Sequence, residues 1–531
     1  MLPFLLPETL QSEYGFTNRH LAHRFAACKV RRAACGLKGR IRRARHNRNS
    51  VPPPNATQRI EQPPAGIYYN NFMGKINWHQ VYAEVKEFTK ITLKKYSLFL
   101  VRLTPHQNIA QTVLSYTLIG WIVLSLPFMN TVHVSFLDNL FTAASAVSTT
   151  GLNSINFADS YTFLGKLVVL ILIQVGGVGY MTFASFVYLS FSQKHRLRKS
   201  QQDALSAEVA LPNTLKLSDF LWAALAFTVI AESIGAVFLF NYFRHHDYTI
   251  WQAAWYSVFH SVSAFCTAGF SLWNNSLETF ADSKTINLVM SCLMLAGAMG
   301  FIVVTDLFNF ICRRTKEISF TTKLICLSTV VMVAFGTFTL FVTTPGLSVW
   351  ESFFQSVAAM TTAGFNTVNI GILSSCSLLI LILLMSIGGS PSGTAGGIKT
   401  TAFVSVMAIM YNRLRLHDRV EMMGRRLPLV RMYAATSTFL LYALMLFGSI
   451  FLLTWTEKLP FLDLVFEASA ALSTSGLSTG ATAQLSWLGK LIIIGTMLIG
   501  RIGVVTFGMA LLGNDDDDDN DKPAEKEDVA V

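Results

Sequence analysis

Apolar residues in this chain come in long runs rather than in stripes or alternations. Eight runs stand out, near residues 108–131, 163–191, 217–243, 285–312, 322–344, 377–410, 431–455 and 487–512. A helix needs roughly 20 consecutive apolar residues to cross the hydrocarbon core of a bilayer. The pattern therefore predicts an all-α integral membrane protein with eight membrane-spanning helices. The sixth run is too long for one plain span and is interrupted by Gly388-Gly-Ser-Pro-Ser-Gly393. Between the first and second runs lies a shorter, half-apolar segment that ends in small residues. Such a segment recurs between the third and fourth, fifth and sixth, and seventh and eighth.

These short segments are copies of one another. Leu137–Gly151, Trp255–Gly269, Trp350–Gly364 and Leu462–Gly476 align without a gap. A Phe stands ten residues before each closing Gly (Phe141, Phe259, Phe354, Phe466), and a Thr two before it (Thr149, Thr267, Thr362, Thr474). The Gly-to-Gly intervals are 118, 95 and 112 residues, so this is an array of long units rather than a short-repeat solenoid. A patch of small residues follows each Gly by 24 to 28 residues, beginning at Gly176, Gly297, Gly388 and Gly500. Each unit reads as helix, re-entrant segment, small-residue turn, helix. The units divide as 108–191, 217–312, 322–410 and 431–512 and can surround one central axis.

That arrangement points to a cation pathway. Non-helical backbone is tolerated at membrane depth only where it is buried in protein or lines water. Four short helices aiming their C-termini at the axis present partial negative charge there. Beyond them the turns Thr149-Thr150-Gly151, Thr267-Ala268-Gly269, Thr362-Ala363-Gly364 and Thr474-Ser475-Gly476 can offer rings of backbone carbonyls that replace an ion's hydration shell. Glycine suits such turns because inward carbonyls demand backbone angles that a Cβ disfavours. Small residues also let membrane helices pack closely, so one such turn would mean little. Four copies in phase with Phe and Thr landmarks are hard to ascribe to packing.

Composition narrows the class further. The chain has 531 residues, 52% hydrophobic and 14% charged, where soluble domains average about 25% charged. An ordinary soluble enzyme is excluded. No zinc-protease HExxH and no phosphate-binding loop occurs, and no nucleophile setting is recognisable, so an intramembrane enzyme is not expected. The seven cysteines have no zinc-like spacing, and buried, inert thiols are the expectation.

The net charge of +11 is unevenly spread: residues 1–107 hold 18 Lys/Arg against 5 Asp/Glu. By charge alone this arm could meet nucleic acid or anionic lipid. Its composition reads instead as a largely disordered cytoplasmic arm next to membrane lipid, with an amphipathic segment at 74–102 and no nucleic-acid partner. No secretory signal is recognisable, and Met73 is an alternative start. Residues 513–531 read as an acidic cytoplasmic tail. The loops after the second, fourth and sixth runs carry 15 Lys/Arg, and the alternate loops 3. By the positive-inside rule both termini are cytoplasmic. The outer loops are relatively acidic, with Asp138, Asp159 and Glu278 among their carboxylates, and would attract a cation.

At this point the chain resembles the Trk/Ktr/HKT superfamily of potassium transporters, and its bacterial KtrB branch most. The likeness covers about residues 105–512. It rests on the four aligned segments, on Gln174–Phe183, on Gly388–Thr401 and on Gly500-Arg-Ile-Gly503. The resemblance implies a subunit of four helix–pore-loop–helix repeats around one pore, carrying K+ at filter carbonyls and in many members stimulated by Na+. It implies a homodimer in the cell membrane, seated on a cytoplasmic nucleotide-binding regulatory ring of the RCK type, with no organic cofactor in this subunit. In plant relatives a Ser at the first filter position goes with sodium transport. Here Gly151, Gly269, Gly364 and Gly476 are all glycine, as in the potassium-selective kind, with a less selective Na+/K+ transporter as the alternative.

The resemblance also implies a gate. In the family a loop below the filter obstructs the pore; here it would be Gly388–Lys399, made flexible by Gly388, Gly389, Gly393, Gly396 and Gly397, with Ser390 and Lys399 beside them. Arg501 lies deep in the eighth run, and an intramembrane arginine is costly enough to be a functional candidate by default. It could brace the loop through backbone carbonyls. Snorkelling to the inner surface is the competing reading for Arg501 and Lys399. Asp306, Glu232, His260 and Glu467 are expected mainly to pair with buried polar neighbours.

Overall fold

The computed structural model describes residues 103–178, 217–417 and 419–512. Nearly all of the basic arm, its segment 74–102, residues 179–216 and the acidic tail lie outside them. Helices begin where the sequence supplies caps. Thr104 and Gln107 form a capping box before α1 (Pro105–Leu124). The Ser135 hydroxyl accepts from Asp138 N at the start of α2 (Phe136–Val147), which is followed by α3 (Phe163–Val178). A side-chain oxygen at these positions satisfies amides that have no intrahelical partner.

The same order then recurs. Helix α4 (Leu217–Arg244) precedes the short α5 (Ile250–Phe265), itself opened by a Thr249/Gln252 capping box. Next come α6 (Lys284–Met299) and α7 (Phe301–Ile311). In the third group α8 (Phe320–Thr343) precedes α9 (Val349–Met360), opened by a Ser348/Glu351 capping box. Then α10 (Ser375–Ile387) and α11 (Thr400–Leu414) flank the expected break. A two-residue hairpin, β1 (Glu421–Met422) with β2 (Arg425–Arg426), leads into the last group. That group is α12 (Leu429–Thr456), α13 (Phe461–Leu472), α14 (Trp487–Ile502) and α15 (Val504–Leu512).

Two of the expected straight spans are bent. The run 285–312 breaks into α6 and α7 at 96°, and the run 487–512 into α14 and α15, also at 96°. The pivots are Gly300 (φ 82°) and Gly503 (φ 90°), angles that are cheap only without a Cβ. An unbroken apolar run cannot distinguish a straight helix from a folded one, so this lay beyond the hydropathy pattern. Among the described residues, Ala223–Arg244, Phe320–Thr343 and Leu429–Thr456 are single helices long and apolar enough to cross a membrane, and each bent pair passes as a broken span. Helices α3 and α10 are apolar but shorter.

Polarity is arranged for lipid outside and hydroxyls inside. Phe338, Phe447 and Trp455 are more than two-thirds exposed, whereas Ser145, Ser263, Ser356 and Ser469 are fully buried. The landmark residues Phe141, Phe259, Phe354 and Phe466 are likewise fully buried, in one continuous core. The cysteine expectation is corrected: Cys266 is buried, but Cys292, Cys312 and Cys376 are exposed. They sit on an exterior that is itself apolar, where a weakly polar thiol carries little penalty.

Truncating a packed aromatic costs about 3–5 kcal/mol. Phe354→Ala is therefore expected to lower the thermal midpoint of the detergent-solubilised protein clearly, while Phe338→Ala on the exposed face leaves it nearly unchanged; fluorescence-detected size exclusion after heating reads both.

Candidate functional site

The four short helices end identically. After the caps Ser148, Cys266, Thr361 and Ser473, the next residue is in the left-handed region: Thr149, Thr267 and Thr474 at φ 51° and Thr362 at φ 50°. The following amide bonds five residues back each time, Thr150 N to Ser145 O (2.8 Å), Ala268 N to Ser263 O (2.8 Å), Ala363 N to Ala358 O (2.9 Å) and Ser475 N to Ala470 O (2.8 Å). The threonine amides reach three back, each at 3.1 Å. This is the Schellman termination, with threonine where glycine is usual. A β-branched residue there is a genuine outlier, costing of order 1–3 kcal/mol each. Sequence reasoning had placed the unusual angles on the glycines alone.

The glycines take positive φ as well: 90° at Gly151, 67° at Gly269, 80° at Gly364 and 74° at Gly476. Each also abuts the next segment. A Cβ built on Gly151 would press on Ala268 O, on Gly269 on Ala363 O, on Gly364 on Ser475 O, and on Gly476 on Thr150 O, all within 2.6 Å. The order runs first to second, second to third, third to fourth and fourth back to first. The four Thr-x-Gly turns thus close a ring of backbone around one axis.

On the threonine side of the ring lies the loop between α10 and α11. Gly396 N donates to Thr362 Oγ1 (2.8 Å), and Thr267 Oγ1 donates to Thr394 Oγ1 (3.2 Å). Thr394 Oγ1 also reaches Phe265 O (3.1 Å). The loop is fastened to the end of α6 by Ser390 N to Ala298 O (3.0 Å) and Thr394 N to Gly297 O (3.1 Å). Its glycines serve fit rather than looseness alone. Gly388 and Gly397 have φ of 68° and 76°, and a Cβ on Gly389, Gly393 or Gly396 would strike Ala395, the Ala298 carbonyl or the Ser473 carbonyl.

Arg501 does not snorkel to a surface. Its Nη1 donates to Thr394 O (3.0 Å) and Thr149 Oγ1 (3.2 Å), and its Nη2 to Gly176 O. One guanidinium therefore spans the loop, the first turn and the end of α3. Lys399 turns back on Ala395 O, with φ 81°. Thr394 is the contact that sequence reasoning passed over, because a threonine inside a glycine-rich loop carries no signal of its own.

On the opposite side of the ring opens a polar cavity of about 500 Å³. Gly151, Gly269, Gly364 and Gly476 form its floor, and Asn153, Asn156, Asn274, Asn275, Asn366 and Asn369 contribute to its walls. Glu278 also lines it. Partial burial raises the Glu278 carboxyl above its ordinary range, opposed by the amide that Asn366 donates.

Glu232, His260 and Glu467 pair with buried or half-buried polar neighbours as expected, whereas Asp306 pairs with an exposed backbone amide. Glu232 accepts from Gln174 Nε2 (3.2 Å), and Asp306 from Ser319 N (2.8 Å). His260 accepts from Leu272 N (3.2 Å) and lies 2.7 Å from Tyr256 O. Glu467 accepts from Ser478 Oγ (2.6 Å) and Thr479 N (3.0 Å). Lys490 and Asp138 form an ion pair at 2.6 Å joining α14 to α2. Among the described residues no group of His, Cys, Asp and Glu is placed to hold a metal ion.

An apolar exterior around a closed ring of backbone, with a polar cavity on one side and a tethered loop on the other, defines a multi-pass membrane transport protein. The family model described as TrkH, cation transport protein, matches residues 88–512, and the chain belongs to that family. It is 36% identical over 423 residues to the Ktr system potassium uptake protein B of Bacillus subtilis, covering 77% of this chain and 93% of that one. To the potassium/sodium uptake protein NtpJ of Enterococcus hirae it is 34% identical over 432 residues, with the same coverages. The crystal structure of the potassium transporter TrkH from Vibrio parahaemolyticus shares the fold, with a TM-score of 0.58 at 21% identity over 76% of this chain and 85% of that one.

Hydrogen bonds from a charged donor are worth about 1.5–3 kcal/mol each. In Arg501→Ala, amide hydrogen exchange over residues 393–399 is expected to quicken by at least tenfold; unaltered exchange would show that the arginine does not hold the loop.

Proposed function

We propose that this chain is the pore-forming subunit of a Ktr/Trk-type potassium uptake system. The closed ring of Thr-x-Gly turns carries this reading. Thr149, Thr150, Gly151, Thr267, Ala268, Gly269, Thr362, Ala363, Gly364, Thr474, Ser475 and Gly476 serve as its selectivity filter, where carbonyls substitute for the hydration shell of K+. The four units 108–191, 217–312, 322–410 and 431–512 supply one turn each. Gly388–Lys399, braced by Arg501, serves as the gate. The loop bonds two filter threonines directly, so its displacement opens the threonine side of the ring.

The names of the relatives support potassium as the ion, and the name of NtpJ favours a second reading in which sodium is also carried. The word system in the first name supports partner subunits. On the reading made from the resemblance these are a second copy of the chain and a cytoplasmic nucleotide-binding ring. Plasma-membrane placement rests on the resemblance, and both termini inside on the lysine and arginine distribution.

Expression in a potassium-uptake-deficient strain is expected to restore growth at low potassium; growth with and without sodium separates the two ion readings. Failure to grow despite correct membrane insertion would overturn the proposal. Gly→Ser at 151, 269, 364 or 476 is expected to weaken discrimination against sodium, most at 364 and 476, where the next carbonyl is closest. Sodium competition with rubidium uptake measures it. Shortening 388–397 and Arg501→Ala should each raise rubidium flux in vesicles, and unchanged or lower flux in both would sink the gate assignment.

A further inference from the structure

We infer that Glu278 is the charged element of a cation-gathering site in the cavity outside the filter, setting the apparent affinity for the entering ion. The inference rests on the pore reading and extends it to a residue outside the ring. Among the described residues lining the cavity, Glu278 is the one carboxylate; the other polar side chains there are amides and hydroxyls, with no lysine or arginine. Two further carboxylates lie outside the cavity lining. Asp138 is paired with Lys490. Asp159 accepts from Asn156 and Asn274, both at 2.9 Å, and does not itself line the cavity.

Glu278 is also held in place across two units. Its Oε1 accepts from Asn366 Nδ2 (2.9 Å), Leu277 N donates to Asn366 O (3.0 Å), and Asn366 N donates to Ser276 Oγ (3.2 Å). Asn366 follows Gly364 by two residues, so the carboxylate is registered to the third filter turn. An ionised carboxylate can accept more than one hydrogen bond; only Oε1 is engaged by Asn366, which leaves Oε2 for a partly hydrated monovalent cation. The neighbouring amide oxygens offer the neutral ligands that exchange for water in steps.

A fixed negative charge in a cleft with low-dielectric walls raises the local concentration of the attracted ion, and this effect falls steeply with ionic strength. The ligand class is a small monovalent cation, and the probe is rubidium. Full-length protein in liposomes, assayed for rubidium uptake at an ionic strength of roughly 10 mM, is expected to show a three- to tenfold rise in the half-saturating concentration for Glu278→Gln. The glutamine keeps an acceptor for Asn366 and removes only the charge. At roughly 300 mM the gap should shrink below about twofold. Asp282→Asn, an exposed acid near but not in the cavity, should shift the half-saturation much less.

An unchanged half-saturating concentration in Glu278→Gln at low ionic strength overturns the inference. So does a shift that persists undiminished at high ionic strength, which would make Glu278 a brace for the filter turn rather than a gathering charge. Absence of rubidium uptake by the unsubstituted protein would instead count against the pore reading itself, so the two failures are distinguishable.

Discussion

The contact on which the rest of this structure depends is glycine against carbonyl, repeated around the ring. Each closing glycine faces the carbonyl oxygen of the residue before the next glycine, with no room for a Cβ. Close approach of four chain segments to one axis is otherwise prohibited by side chains. Because the sequence of contacts returns from the fourth segment to the first, no unit can shift alone without disturbing its neighbours. The long helices, the buried phenylalanines and the polar staples behind the turns can all be understood as support for that closure.

The support has to offset strain. Four threonines in the left-handed region are costly, yet the backbone amides of each helix end are hydrogen-bonded, while the Thr474 hydroxyl is buried without a partner among the described residues. A glycine there would be cheaper for the backbone but would lack the hydroxyl. Thr149, Thr267 and Thr362 use that hydroxyl to meet Arg501, Thr394 and Gly396, respectively. The strained position thus couples the ring to the loop below it. Unpaired polar groups are expensive away from water, and the loop's irregular backbone meets that cost: several of its amides and carbonyls are taken up by α6, by the threonines and by Arg501.

Much of this was legible in the sequence, for a physical reason. Spans are set by hydrocarbon thickness, so run length alone located most helices. A fourfold motif with fixed Phe, Thr and Gly positions left few arrangements other than a common axis. The Gly388–Lys399 break and the half-buried Arg501 were visible as violations of the apolar pattern. What escaped were features that depend on direction rather than composition. Hydropathy is blind to the 96° bends at Gly300 and Gly503. The left-handed angle of the threonines is hidden behind a residue type that normally avoids it. Thr394 and Glu278 matter through what lies across from them, 127 residues away for Thr394 and Thr267 and 88 for Glu278 and Asn366.

The two sides of the ring also differ in how they handle charge, and the difference follows from solvation. On the cavity side the Glu278 carboxylate is only half-buried, so on the proposed reading its negative charge would act over a distance on an arriving cation. On the loop side Lys399 donates to the Ala395 carbonyl, and Arg501 to the Thr394 and Gly176 carbonyls and the Thr149 hydroxyl. Those same carbonyls would otherwise be available to a dehydrated cation leaving the ring. On the proposed gate reading, a guanidinium held there would both repel the ion and withhold its ligands. Moving the loop would, on the same gate reading, take Thr394 O from Arg501 and free oxygen ligands at the point where the positive charge retreats. Opening of the path and recovery of its coordinating oxygens would, on that reading, be a single displacement, which suits an arginine at the junction of loop, turn and helix end rather than in the ring itself.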